Sequence, residues 1–117
     1  MKVAYIAHPI SGDVKGNIEK IKAICRDINL NQPDVIPFVP YCMDLLCLDD
    51  NFPSERERGF KNNIHHLESG YIDELWLFGD RISDGMHIEI NTCLIEMIEI
   101  VPKTPETKKT FNESLQM

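Results

Sequence analysis

The chain is short of positive charge, of paired cysteines and of long apolar runs, and each shortage removes a class of function. Only 12 lysines and arginines stand against 19 aspartates and glutamates, a net charge of −7. A protein that grips a nucleic-acid backbone or an anionic membrane needs a basic surface, so neither is expected as the main partner. A small phosphorylated ligand stays compatible, because a few local donors suffice to hold it. The four cysteines, Cys25, Cys42, Cys47 and Cys93, include no Cys-x-x-Cys pair. Cys25 and Cys93 fall in helical apolar patterns, where a reduced thiol packs as a small hydrophobe. Cys42 and Cys47 read as free thiols. No stretch approaches the ~18 apolar residues of a membrane span, and the amino terminus begins as a strand rather than a signal peptide. These features point to a reduced, cytoplasmic protein.

The common phosphate-loop and metal signatures are also missing. There is no Gly-x-x-x-x-Gly-Lys-Ser/Thr loop, no Gly-x-Gly-x-x-Gly fingerprint and no His-Glu-x-x-His pattern. Of His8, His65, His66 and His87, the adjacent His65 and His66 would point about 100° apart on a helix and cannot easily share one ion. No metal and no cofactor is expected, and no internal repeat is visible.

What is present suits one α/β domain. The 117 residues, 43% of them hydrophobic, can build a core and leave little room for a second domain. Lys2-Val3-Ala4-Tyr5-Ile6-Ala7 is apolar almost throughout, as a strand buried on both faces of a parallel sheet would be. The turn His8–Asp13 leads to a helix over 14–29, where Ile18, Ile21, Ile24, Cys25 and Ile28 form one stripe. Gly16 weakens its first turn by up to about 1 kcal/mol relative to Ala. A second strand covers 34–39, with Pro37 favouring a sheet edge. Residues 40–58 are the least regular: a helical turn within 41–48, then an acidic loop of the kind that covers binding sites. Ser54 and Glu57 match a capping box, starting a helix at Pro53 or Glu55 that ends at Ser69. A third strand at 73–78, a helix over 85–96 and a fourth strand at 98–101 follow. The domain is thus read as 1–101. Residues 102–117 are read as a polar, loosely docked tail with a short terminal helix.

Alternating strands and helices predict a three-layer, flavodoxin-like parallel sheet of four to five strands in the order 2-1-3-4. The chain leaves the first and third strands in opposite directions, which opens a crevice between their carboxyl ends. The turns His8–Asp13 and Gly79–Gly85 would face each other across it. Behind the second turn stands Glu89, placed by helical geometry at the rim of the stripe made by Met86, Ile90, Cys93 and Met97. It is either a surface carboxylate favoured by the helix dipole or a functional group at the crevice. Ser83 or Asp84 caps this helix, and free amides near Gly85 can hold an anion. His8, Ser11 and Gly12, with Tyr5 near the end of its strand, are either an ordinary connection or the opposite wall.

The segments Tyr5-Ile6-Ala7-His8-Pro9-Ile10-Ser11-Gly12 and Ser83-x-Gly85-x-x-x-Glu89 resemble the two motifs of the nucleoside 2-deoxyribosyltransferase-like superfamily. Asp73 matches an Asp that commonly begins that family's third strand. The resemblance spans roughly 2–101 and is greatest to a branch of small, uncharacterised, phage-associated domains. It implies that Glu89 is a nucleophile for the anomeric carbon of a nucleoside or nucleoside 5′-monophosphate, cleaving or exchanging its N-glycosidic bond. Ser83 and the amides around Gly85 would hold the 5′ end, Ser11 and Gly12 would line the pocket, and Tyr5 would contact sugar or base. It also implies a homo-oligomer. Two positions depart from the pattern. His8 stands where Gly is usual, and Asn63 or His65 stands nearest to where catalytic members carry a second carboxylate. Asp80 is the nearest local carboxylate that could substitute. The alternatives are a non-catalytic module that senses a nucleotide in the same crevice, or an interaction domain with a vestigial crevice.

Overall fold

The computed structural model describes residues 1–115. Its elements are β1 (Lys2–Ala7), α1 (Val14–Asn31), β2 (Val35–Phe38), α2 (Pro40–Cys47), α3 (Pro53–Glu68), β3 (Glu74–Leu77), α4 (Asp84–Glu96), β4 (Glu99–Pro102) and α5 (Pro105–Leu115). The four strands pair in parallel in the order β2-β1-β3-β4, the predicted flavodoxin-like order. Register places Tyr5 beside Phe38 on one side and beside Leu75 on the other. Pro37 does lie on an edge strand, where its missing N–H costs no ladder bond.

Strand side chains alternate between faces, and the two faces build separate clusters. Tyr5, Ala7, Leu75 and Leu77 pack with Tyr41 of α2, Leu67 of α3, Met86, Ile90 and Cys93 of α4, and Phe111 of α5. Ala4, Ile6 and Trp76 pack on the other face with Ile28 of α1. Each such large side chain contributes about 1.5–3 kcal/mol when fully buried. Trp76 is nearly covered. Its indole N–H donates to Glu74 Oε1 at 2.8 Å, and the Lys103 ammonium sits 3.9 Å over the ring.

Four expectations change. The irregular stretch after β2 holds a full helix, α2, started by Pro40 in its first turn, a position where a missing N–H is harmless. The capping box at Ser54 does not form. Phe52 is the cap residue of α3, Pro53 takes the first helical position, and Glu55 turns back to accept from the Asp49 amide at 3.0 Å. Met97 leaves the buried stripe of α4 and is 91% exposed, because it caps the helix in the left-handed conformation, φ 61°. The polar segment after β4 is docked rather than loose. Phe111 enters the core, and the buried Thr107 donates from Oγ1 to the Leu77 carbonyl at 3.2 Å. The spacing of Thr107 and Phe111, four apart, puts both on one face of α5. Gln116 and Met117, the end of that segment, lie outside the described residues.

No helix among the described residues is long and apolar enough to cross a membrane.

Candidate active site

Two short turns at the carboxyl ends of β1 and β3 begin the site. After β1, the His8 ring turns back on the chain, and its Nδ1 lies 2.7 Å from the Pro9 carbonyl. A carbonyl only accepts, so Nδ1 carries the proton and a neutral ring keeps Nε2 free as an acceptor. Burial lowers the His8 pKa below the ordinary histidine value. Asp13 caps α1, accepting from the Gly16 amide at 3.0 Å. The fit is close: a Cβ on Gly16 would stand 2.2 Å from Asp13 Oδ2, so the glycine that weakens the helix interior also admits its cap. Asn17 ties the turn down by donating to the Ile10 carbonyl at 2.9 Å.

After β3, Gly79 adopts φ +94°, and a Cβ there would meet Pro9 Cδ at 2.6 Å. The two turns therefore touch, and only glycine fits between them. Ser83 caps α4 by accepting from the Met86 amide at 3.2 Å. One turn further on, the same helix delivers Glu89.

Glu89 is 8% exposed, not at the rim as helical geometry alone predicts. α2 and α3 cover that rim. Burial raises its carboxyl from the usual 4.5 to about 7, and an interaction with the Tyr5 hydroxyl pulls the other way. That hydroxyl is fully buried and has no partner in good hydrogen-bond geometry, so it faces the carboxylate without a well-formed bond. Burial, then the Glu89 charge, raises the pKa values of Tyr5 and Tyr41 well above the ordinary tyrosine value. Cys93, one turn along α4, rises to about 12, again through burial first and Glu89 second.

Glu89 borders a cleft of about 140 Å³, close to the ~150 Å³ of an apolar cavity that takes one benzene. A single ring fits inside, and the rest of a larger ligand would lie at the open mouth. His8 and Ser11 line one wall, and Ser83, Gly85 and Glu89 line another. Tyr5 is fully buried next to Glu89 and, like Gly12, does not line the cleft. Asp80 is not in the cleft: its side chain is 79% exposed and pairs with Arg81 at 3.2 Å. It does not supply the upstream carboxylate. Asn63, 7% exposed, does line the cleft, and its Oδ1 is buried without a partner.

The stretch 40–58, expected to cover the site as a loop, does so as α2 with the first turns of α3, and of the residues on this wall only Asn63 is singled out by the sequence. Tyr41, Asp44, Leu45 and Leu48 face the cleft from α2, and Arg56, Gly59, Phe60 and Asn63 face it from α3. Both sets follow i, i+3, i+4, i+7 spacing, the signature of one helical face. Tyr41 anchors the wall by donating its hydroxyl to the Ile6 carbonyl. Asp44 accepts from Asn62 through Oδ1 at 3.3 Å, while its Oδ2 is buried without a partner. At the position of Asn63 the helix before β3 offers the cleft an amide, and α2 brings a carboxylate, Asp44, to the same wall. No group of three or more His, Cys, Asp or Glu side chains among the described residues could hold a metal ion.

No curated protein matches the sequence. The stretch 2–102, which carries every strand and both turns of the cleft, matches a family model described as a domain of unknown function, DUF7768, and the chain belongs to that family.

Proposed function

We propose that the chain cleaves or exchanges the N-glycosidic bond of a nucleoside or nucleoside 5′-monophosphate, with Glu89 as nucleophile. The observation that carries this reading is a buried carboxylate, with no cationic partner among the described residues, beside a ring-sized cleft at the switch point of the sheet. Such a group gains most when positive charge develops next to it, because little water is present to screen the attraction. Attack of a Glu89 oxygen on the anomeric carbon forms a glycosyl ester and breaks the carbon–nitrogen bond. The bonding electron pair leaves with the base, which takes up a proton. Water then releases the sugar, or a second base displaces the ester. Ser83, whose hydroxyl oxygen is occupied by the Met86 amide, retains its O–H to donate to the 5′ oxygen.

The test is base release from a panel of nucleosides and 5′-monophosphates. Wild type is expected to release base at a rate that rises as pH passes through about 7, since attack requires the ionised carboxylate. Glu89→Ala is expected to fall to background. Equal rates for the two proteins would end the reading.

Asn63 favours a second reading. An amide cannot protonate a leaving base as a carboxylic acid can, so the same cleft suits a module that binds a nucleotide without turning it over. Ligand-dependent melting shifts with no product would select it. Apolar side chains on the outer side of α4 and its cap, with Ile95 79% and Met97 91% exposed, support assembly into a homo-oligomer.

A further inference from the structure

We infer that the cleft takes an uncharged nucleoside rather than a nucleoside 5′-phosphate, and that Asp44 and Asn63 read its hydrogen-bond donors. The inference rests on the proposed nucleoside chemistry and narrows its substrate class.

The charge of the lining comes first. Asp44, Asp50, Glu55, Asp84 and Glu89 border the cleft, against Arg56 as the one arginine or lysine among the described lining residues. Arg56 lies 5.5 Å over the Phe60 ring. The nearby Arg81 is committed elsewhere, to Asp80 and to the Ser11 carbonyl at 3.0 Å. Burial lowers the His8 pKa and so disfavours its charged form. The amino end of α4, which would otherwise attract an anion, carries Asp84 in its first turn and Ser83 as its cap. A phosphate entering here would meet a lining rich in carboxylates, the buried Glu89 and half-buried Asp44 and Glu55 with Asp50 and Asp84 exposed at the surface, and like-charge approaches are costly.

The second observation is independent of net charge. Three buried polar atoms around the cleft have no partner: Tyr5 Oη, Asp44 Oδ2 and Asn63 Oδ1. Buried polar groups are almost always paired, and we read orphans grouped around one cleft as positions that a ligand completes once the side chains turn toward it. Tyr5 faces Glu89. The other two are acceptors and call for N–H or O–H donors. Asp44 and Asn63 line the cleft together with Leu45, Leu48 and Phe60, apolar side chains suited to the faces of a planar ring whose edge is polar. A nucleobase has that character, and an aspartate accepting from an exocyclic amine is a known form of base reading.

The test is calorimetric titration of the full chain with adenosine, cytidine and their 5′-monophosphates, alongside base release by wild type and Glu89→Ala. The nucleosides are expected to bind at least about tenfold more tightly than their monophosphates at low salt, with the gap narrowing as salt screens the repulsion. Asp44→Asn keeps the shape and removes one charge and the orphan acceptor. It is expected to weaken nucleoside binding about tenfold and to narrow the gap, with an unchanged melting temperature to confirm folding. Monophosphates bound as tightly as nucleosides, with Glu89-dependent base release intact, would overturn the inference and leave the proposed function standing. An Asp44→Asn protein that binds both classes like wild type would overturn the role of Asp44. No binding and no base release with either class would remove the function and the inference together.

Discussion

Glu89 sets a stability cost against its chemical use. In the unfolded chain its carboxyl titrates near 4.5, and in the folded protein near about 7. Below the lower value both states are protonated and the burial is tolerated. As pH rises between the two values, the unfolded chain ionises first and stability falls. The full difference corresponds to about 3 kcal/mol at 1.36 kcal/mol per pH unit. Glu89→Gln stays neutral throughout. It is expected to be more stable than wild type by up to about 3 kcal/mol at pH 8 and equal to it near pH 4, as urea titrations at both pH values would show. A pH-independent difference would mean that Glu89 titrates in the folded protein as it does in the unfolded chain. The residue's identity and neighbourhood were legible in sequence from Ser83-x-Gly85-x-x-x-Glu89, but its burial was not. A helix projection sees one element, and the cover over Glu89 comes from two others.

At the scale of elements, the two turns were placed correctly because glycine, proline and short polar side chains write their constraints locally. The predicted strand order set them facing each other across a crevice, but their direct contact, Gly79 against the Pro9 ring, was not legible, since it depends on atomic-scale packing. Gly79→Ala tests that contact. The variant combines a positive φ with a Cβ driven into the Pro9 ring, and a loss of about 1–3 kcal/mol is expected from the backbone strain alone. Thermal unfolding measures it, and a neutral result would show that the turns yield independently. α2 was harder to see. Asp44 interrupts the apolar pattern of an eight-residue helix, so the acidic residue that α2 brings to the cleft is the one that blurs the helical signal. Read jointly with α3, the repeated i, i+3, i+4, i+7 spacing would have placed Asp44 and Asn63 on facing surfaces.

The whole molecule adds what no single element carries. Strand order followed from the alternation of strands and helices and from the handedness of crossovers, and the sheet has that order. The segment after β4 reads as polar because only Phe111 and Thr107 of α5 are buried, too few to raise its mean hydropathy. Phe111→Ala is expected to cost about 3 kcal/mol, measured by denaturant unfolding; a loose tail would lose less than about 0.5 kcal/mol. Assembly is tested at the same scale. Ile95→Asp places a charge on the exposed apolar side of α4 and is expected to convert an oligomer to monomers in sedimentation, whereas wild type sedimenting as a monomer would remove the proposal.

The position of Trp76 has a consequence for how these measurements can be made. It is the chain's single tryptophan, and it lies on the face of the sheet opposite Tyr41, Met86 and the cleft. Its intrinsic fluorescence therefore reports exposure of the α1 side of the sheet on unfolding and is optically remote from an incoming ring. Ligand titrations followed by tryptophan emission are expected to give a small signal, since no cleft-lining residue belongs to the cluster around Trp76. The same emission gives an unfolding signal that is not contaminated by occupancy, so the molecule carries a folding reporter separate from its site.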